Sequence, residues 1–503
     1  INFLEFFEKV IQAVEYFTEE VRILLEMLHG KAKDEAWNNQ VKEKLSPALQ
    51  EEVSFKDAVW PSPFVPGLEY NSPAHGPWNI VHMGMLLPGA HQIYVCGANC
   101  NRGVILTAAE MNAGDRFSFV EIKEEDLFNG QMEELVIEGV SDILHKLPEK
   151  PSVVLLFTVC VHHFMGCDLT YIYDTLRGRF PEQCFVDCYM DPIMQKTGLT
   201  PDQKLRKAMY DPLKAQKADP HIVTLLGHNF PLDETSDIKR FLKKCGCELR
   251  EITTCDTWDK YEKLGEANIF LSIYPTAKYG AQTLAKRLGR EHIYMPASFD
   301  YEEIKQQMER LAEILEKTLV SEIIQTSEEQ IETLNVLIDA QKDSYYEKEV
   351  EACEETIKKV REVVGDTPIV IDYLMHPRPL GLAKYLLEHG FCVEAVYLDG
   401  VSPEEEQEFY WLSKHAPKLE LRATIQPKMR VLPRKHEEKV LALGQKAAWF
   451  TQSPYFVNVV EGAGWYGFDG IRKMAELMIR AYEEEKEVED LVVRKGWGCE
   501  SCI

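Results

Sequence analysis

The sequence predicts an α/β protein whose parallel sheets are covered by helices, arranged as three units behind a helical N-terminal segment. Three observations carry this. Short, continuously apolar runs recur: HQIYVC (91–96), SVVLLFTVC (152–160), HIVTLLG (221–227), ANIFLSI (267–273), PIVIDYL (368–374) and YFVNVV (455–460). Unbroken apolarity, rather than alternation, marks strands buried on both faces. Between the runs lie segments of helical periodicity, such as SDIKRFLKKCG and LGLAKYLLEHG, both ending with a cation or histidine before glycine, an ordinary helix stop. Finally, 503 residues exceed what one hydrophobic core holds.

In chain order, residues 1–70 form the helical segment. Its opening, INFLEFFEKVIQAVEYFTEEVRILLEML, is apolar at helical spacing but interrupted by acids, which makes it amphipathic rather than membrane-spanning. Residues 71–200 form the first α/β unit, closing at the polar stretch KTGLTPDQK, and 201–300 the second. An acidic helical connector, 301–365, leads to the third unit, 366–503, with its C-terminal helix and tail.

Charge narrows the function. Fifty-six Lys+Arg against 82 Asp+Glu give −26, a surface that repels phosphate and excludes nucleic acid as a partner. No membrane span and no signal peptide are readable, so the chain is expected in the cytoplasm. Thirteen cysteines, many in close pairs, point in a reducing compartment to metal or redox chemistry before disulfides.

Two constellations stand out. YVCGANCNRGV (94–104) places Cys96 and Cys100 on a Gly/Asn-rich turn after a strand, and FTVCVHHFMGCD (157–168) places Cys160 and Cys167 around another. Thiolates on turns at strand ends can converge on an iron–sulfur cluster. Single cysteines are more often small buried hydrophobes, but three at strand ends of one unit favour ligation. Zinc fits less well, because no finger-like or ribbon-like spacing surrounds Cys96, Cys100, His162 and His163. Cys499 and Cys502 form a CxxC with no βαβ unit after it.

Residues 462–467 read GAGWYG, a literal G-x-G-x-x-G between a strand and a helix. No βαβ unit closes after it and no acid follows at the end of a next strand, so NAD is not expected, and no P-loop is present to bind another nucleotide. Polar residues just past buried strands are the remaining candidates: His228 and Asn229, Tyr274, His376 and Arg378, with Trp465 in the GAGWYG turn. Singly, each reads as a cap or surface group; together they could line one cleft between units.

GAGWYGFDGIRKMAELMIRA, FTVCVHHFMGCD, PGAHQIYVCGANCNRG, TLLGHNFPLDETSDIKRFLKKCGCELREI and YLMHPRPLGLAKYLLEHG together resemble, in order, the nitrogenase component 1 type oxidoreductases. That resemblance implies three Rossmann-like domains, a homodimer, heterodimer or heterotetramer with a related subunit, and an ATP-dependent iron protein as electron donor. It implies an iron–sulfur cluster, [4Fe–4S] or larger, with Cys160, Cys96 and Cys100 as ligands. Cys167, His162 and His163 would surround it. Where the family has its first cluster cysteine, this chain has His75. The positions that anchor a molybdenum–iron cofactor fall near Ile273 and Val457, neither able to ligate. A reductase acting on a substrate other than dinitrogen is therefore expected, with a cluster-assembly scaffold and a metal-free partner subunit as alternatives.

Overall fold

The computed structural model describes residues 50–65, 80–190, 199–320, 328–431 and 438–493. The amphipathic opening segment, His75, Cys499 and Cys502 lie outside them. In chain order the strands are β1 (Glu52–Ser54), β2 (Ala90–Cys96), β3 (Phe117–Glu121), β4 (Val153–Val159), β5 (Cys184–Met190), β6 (Asp219–Leu226) and β7 (Glu248–Glu251), followed by β8 (Ala267–Ser272), β9 (Glu291–Tyr294), β10 (Ile369–Asp372), β11 (Val393–Tyr397), β12 (Glu420–Arg422), β13 (Leu441–Leu443) and β14 (Phe456–Val457).

They form three sheets: β3-β2-β4-β5, β7-β6-β8-β9 and β1-β12-β11-β10-β13-β14. The first two are parallel throughout. This is the α/β architecture of Rossmann-like units that the apolar runs foretold. β2 and β4 are buried at every position, and Tyr94 stacks on Phe157 across their ladder at 4.3 Å between ring centres.

The second sheet is shared between two cores. Along β6, Val223 and Leu225 join Ile269 and Leu271 of β8 in a core with the connector and the third sheet. Ile222 and Leu226 join Phe270 in the core of the first unit. Alternation along a strand sends successive side chains to opposite faces, so one sheet serves both neighbours.

The third sheet has a feature the sequence did not announce. Glu52–Ser54, expected within a helical segment, pairs antiparallel with β12 and extends that sheet's edge. The three residues EVS are too short a run to read as a strand. Phe55 anchors them, fully buried and 5.3 Å from Phe409 between ring centres. The connector is helical, as expected, over Tyr301–Val320, Glu328–Asp339 and Glu347–Val364. Ile304, Met308, Leu311 and Leu315 form the buried stripe of the first of these.

Candidate functional site

In each sheet the first strand of the unit has neighbours on both sides, so the order reverses beside it. Ligands in open α/β sheets bind at the carboxyl ends of the strands at that reversal. The three reversals lie between β2 and β4, between β6 and β8, and between β10 and β13.

The first carries the cysteines. Cys96 is the last residue of β2, and Cys100 is the third residue of the helix Ala98–Glu110 that follows. Cys160 opens the short helix Cys160–Phe164 directly after β4. Their environments differ. Cys100 is exposed and Cys160 partly so. Cys96 is fully buried and donates its thiol hydrogen to Asn101 Oδ1 at 2.6 Å. Burial, with the neighbouring Cys100, pushes the Cys96 thiol up to about 12, so it stays protonated. A ligand role for Cys96 would require it to leave Asn101.

His162 is buried, with Nδ1 taking the Val159 N–H at 3.2 Å and Nε2 meeting no protein partner. Burial lowers its pKa, leaving a neutral ring with an unsatisfied N–H beside the cysteine turn. His163 lies exposed on the same turn, and Cys167 is partly buried, its thiol raised by burial and by the charge of Glu133. Among the described residues of this one chain, no three Cys, His, Asp or Glu side chains converge as metal ligands. Cys100 and Cys160 therefore suit a cluster only as part of a larger ligand set. On the same two helices and the residue after the second, Ile105, Leu106, Phe164 and Met165 are exposed, Phe164 by 65% and Leu106 by 52%.

The second and third units meet in a cleft built from the next two reversals. His228 and Asn229 follow β6 and Tyr274 follows β8. His376 follows β10, and the turn 461–465 brings Glu461 and Trp465. Five of the six residues singled out for a cleft, His228, Asn229, Tyr274, His376 and Trp465, do line one space, with Ile273 beside them. The internal volume is about 10 Å³, room for a single water.

The GAGWYG glycines shape it. Gly462, Gly464 and Gly467 have φ of 73°, 75° and 65°, and Glu461 and Ala463 adopt the same left-handed region at 52° and 46°. Left-handed non-glycine residues are strained. The turn is stitched to the loop after β10 through Gly462 N–H to Met375 O at 2.7 Å. A Cβ on Gly464 would lie 2.2 Å from the Pro231 carbonyl oxygen, and one on Gly467 2.5 Å from an Asp237 oxygen. The glycines are thus committed to backbone contact with the second unit.

Behind the cleft Arg206 is fully buried. It pairs with Asp202 at 2.6 Å, bonds Gly227 O and Asn229 Oδ1, and lies over the Tyr274 ring. Asn229 in turn donates to Glu461. Burial and the charge of Glu461, which accepts the Tyr274 hydroxyl, hold that phenol protonated. Arg206 and Glu461 escaped sequence reading. The first sits in PDQKLRKAMY, where a cation reads as solvated, and the second stands beside a glycine motif that drew attention away. His376 accepts the Arg378 N–H through Nδ1 at 3.0 Å, and burial with the Arg378 charge pushes it down to about 3. It is a fixed neutral donor through Nε2.

Arg378 is not part of the cleft. Its guanidinium is buried against Glu303 at 2.6 Å and Glu408 at 2.9 Å. The Pro at 379 starts a helix there, Pro379–Glu388, which turns the arginine inward. Beside it Glu405 accepts the Leu380 and Gly381 N–H groups, and burial pushes its carboxyl up to about 8. A carboxyl raised in the fold binds more protons folded than unfolded between roughly pH 4.5 and 8. Stability should therefore fall across that window, by at most about 1.4 kcal/mol per pH unit from this group. Urea unfolding at stepped pH checks it, and Glu405→Gln should flatten the slope. The third reversal, between β10 and β13, is filled by Asp372. It accepts N–H groups of Leu374, Met375 and Ala447, and a Cβ on Gly444 would lie 2.4 Å from its carboxylate.

A family model for nitrogenase component 1 type oxidoreductases matches residues 83–476. The chain belongs to that family. Among solved structures, this member of the nitrogenase component 1 family is similar to "Nitrogenase Cp1 at pH 6.5", with 12% identity, TM-score 0.57, and 85% of this chain and 95% of that one covered. "Nitrogenase Cp1 at pH 5" gives 12%, 0.54, 86% and 93%. At that identity the likeness concerns the fold. No curated protein matches the sequence. Among the described residues no helix is long and apolar enough to cross a membrane.

Proposed function

We propose that this chain is the cluster-carrying catalytic subunit of a nitrogenase-like reductase. It takes electrons from an ATP-hydrolysing iron protein and reduces a substrate other than dinitrogen in the cleft between the second and third units, which would have to open beyond its room for a single water to admit one. One observation supports this above the rest: two open thiols, Cys100 and Cys160, stand at the reversal point of the first sheet, and the helices that carry them, with the residue after the second, also expose Ile105, Leu106, Phe164 and Met165. Exposed apolar side chains on the elements that carry incomplete ligands suit a face covered by a second, related subunit that supplies the remaining thiolates. An iron–sulfur cluster bound there would supply one-electron storage at a potential set by its surroundings. The unsatisfied N–H of His162, two residues after Cys160, would be free to hydrogen-bond it.

In the cleft, Arg206 balances Asp202 and Glu461, and His376 offers a fixed hydrogen-bond donor. Tyr274 holds Glu461 in place. Ile273 and Val457 are buried and apolar, which disfavours a metal cofactor anchored at those positions. The test is iron and acid-labile sulfide on anaerobically purified protein, with a paramagnetic resonance spectrum after reduction. About four irons per cluster and a reduced-cluster signal are expected. The buried bond of Cys96 to Asn101 favours one second reading, a partner subunit without a cluster; iron-free protein under strict anaerobiosis would select it.

A further inference from the structure

The cleft contains two histidines with opposite settings. His376 is held neutral, as described. His228 is buried, and its Nε2 lies 2.9 Å from Glu251 Oε2 and 3.1 Å from the Thr253 hydroxyl. The other oxygen of Glu251 takes Lys239 Nζ at 2.8 Å, and Oε2 also accepts the Leu232 N–H at 2.7 Å. Lys239 reaches the surface, where it pairs with exposed Glu234. The second ring nitrogen, His228 Nδ1, is buried and meets no protein partner, although the residue lines the cleft.

We propose that Lys239, Glu251 and His228 form a proton-donating array of the cleft, in which Lys239 and Glu251 orient the ring and His228 Nδ1 delivers the proton to whatever is reduced there. Glu251 keeps its charge. Burial alone would raise its pKa, but His228, Lys239 and the Leu232 N–H outweigh burial and hold it below the usual range. A charged Glu251 fixes the ring proton on Nε2, so neutral His228 turns a bare lone pair into the cleft. When protonated it presents an Nδ1–H there, with the imidazolium stabilised by the carboxylate behind it. On the cleft side the other charged and titratable groups are Glu461, Tyr274, His376 and, through Asn229, Arg206. Glu461 favours the protonated ring and Arg206 opposes it.

The step balances simply. For each electron that a one-electron protein donor delivers to the substrate, the Nδ1–H bond breaks and one proton joins the reduced atom. The ring returns to its neutral form with Nε2–H still on Glu251, and a proton from solvent water reaching the cleft reloads Nδ1. Glu251 and Lys239 are positioning residues, whereas His228 faces the reacting space.

The inference rests on the cleft being the place of reduction, but its test needs no iron. The full chain, labelled with ¹⁵N-histidine, is titrated by long-range ¹H–¹⁵N correlation, with His228→Gln assigning the signal. Neutral His228 should carry its proton on Nε2 and should gain a second on Nδ1 before acid unfolding. In Glu251→Gln the neutral ring should lose its preference for the Nε2 proton. A neutral form protonated on Nδ1, or a ring that never titrates, would overturn the array. The wild-type spectrum alone decides the tautomer, even where Glu251→Gln does not fold. Iron-free protein with the expected titration would count against the reductase and leave the histidine assignment standing. An unresponsive His228 in iron-loaded protein would do the reverse.

Discussion

Cys160→Ala is expected to abolish iron binding in anaerobically purified protein, and Cys100→Ala to do the same, while Cys96→Ala keeps most of its iron. The order follows from three different surroundings. Cys100 and Cys160 open onto the face at the β2/β4 reversal, where a thiolate can form and reach a metal. Cys96 is buried, bonded to Asn101, and pushed up to about 12. Forming its thiolate would mean breaking that bond and bringing charge into the core of the first unit. Iron and acid-labile sulfide per chain, measured beside circular dichroism to confirm folding, check the series. Full iron in Cys160→Ala would sink the assignment. Loss of iron in all three variants with the fold intact would mean that the cysteine turn rearranges on loading.

Arg378→Met should destabilise the chain by about 3–5 kcal/mol, the usual cost of removing one partner from a buried charge pair. Glu303 and Glu408 lose the cation they share, and Glu405 and Glu404 stand close by. Chemical denaturation at pH 7 measures it. Because the cost comes from carboxylates left without a counter-charge, the gap from wild type should shrink as pH falls through the carboxylate range. A reductase role for Arg378, as the sequence suggested, would instead change substrate affinity with little change in unfolding midpoint.

How far the sequence could be read follows from which residues speak twice. Central strands β2, β4, β6 and β8 are buried on both faces and apolar throughout much of their length, so their runs were visible. Edge strands such as β7, ELRE, and β9, EHIY, keep one side in water and carry no such run. The rule that sites lie past the strands brought His228, Tyr274 and His376 to one space, since the chain's topology decides it. It failed for Arg378, because nothing in YLMHPRP separates a side chain that enters a cleft from one that turns into a carboxylate cluster. Glu461 is met by Asn229, 232 positions away, and Arg206 by Asn229, 23 positions away, contacts that no local pattern encodes. The strand at 52–54 escaped for the same reason, its partner lying at 420–422.

The alternating side chains of β6 and β8 have a consequence for how the molecule yields. The middle sheet is a single layer with one neighbour's core on each side, and it cannot part from either without exposing an apolar face to water. The cysteine edge and the cleft therefore belong to one cooperative unfolding system rather than to separable modules. Any displacement at the cysteine face is transmitted through a layer one strand thick, with no loosely packed interval to absorb it.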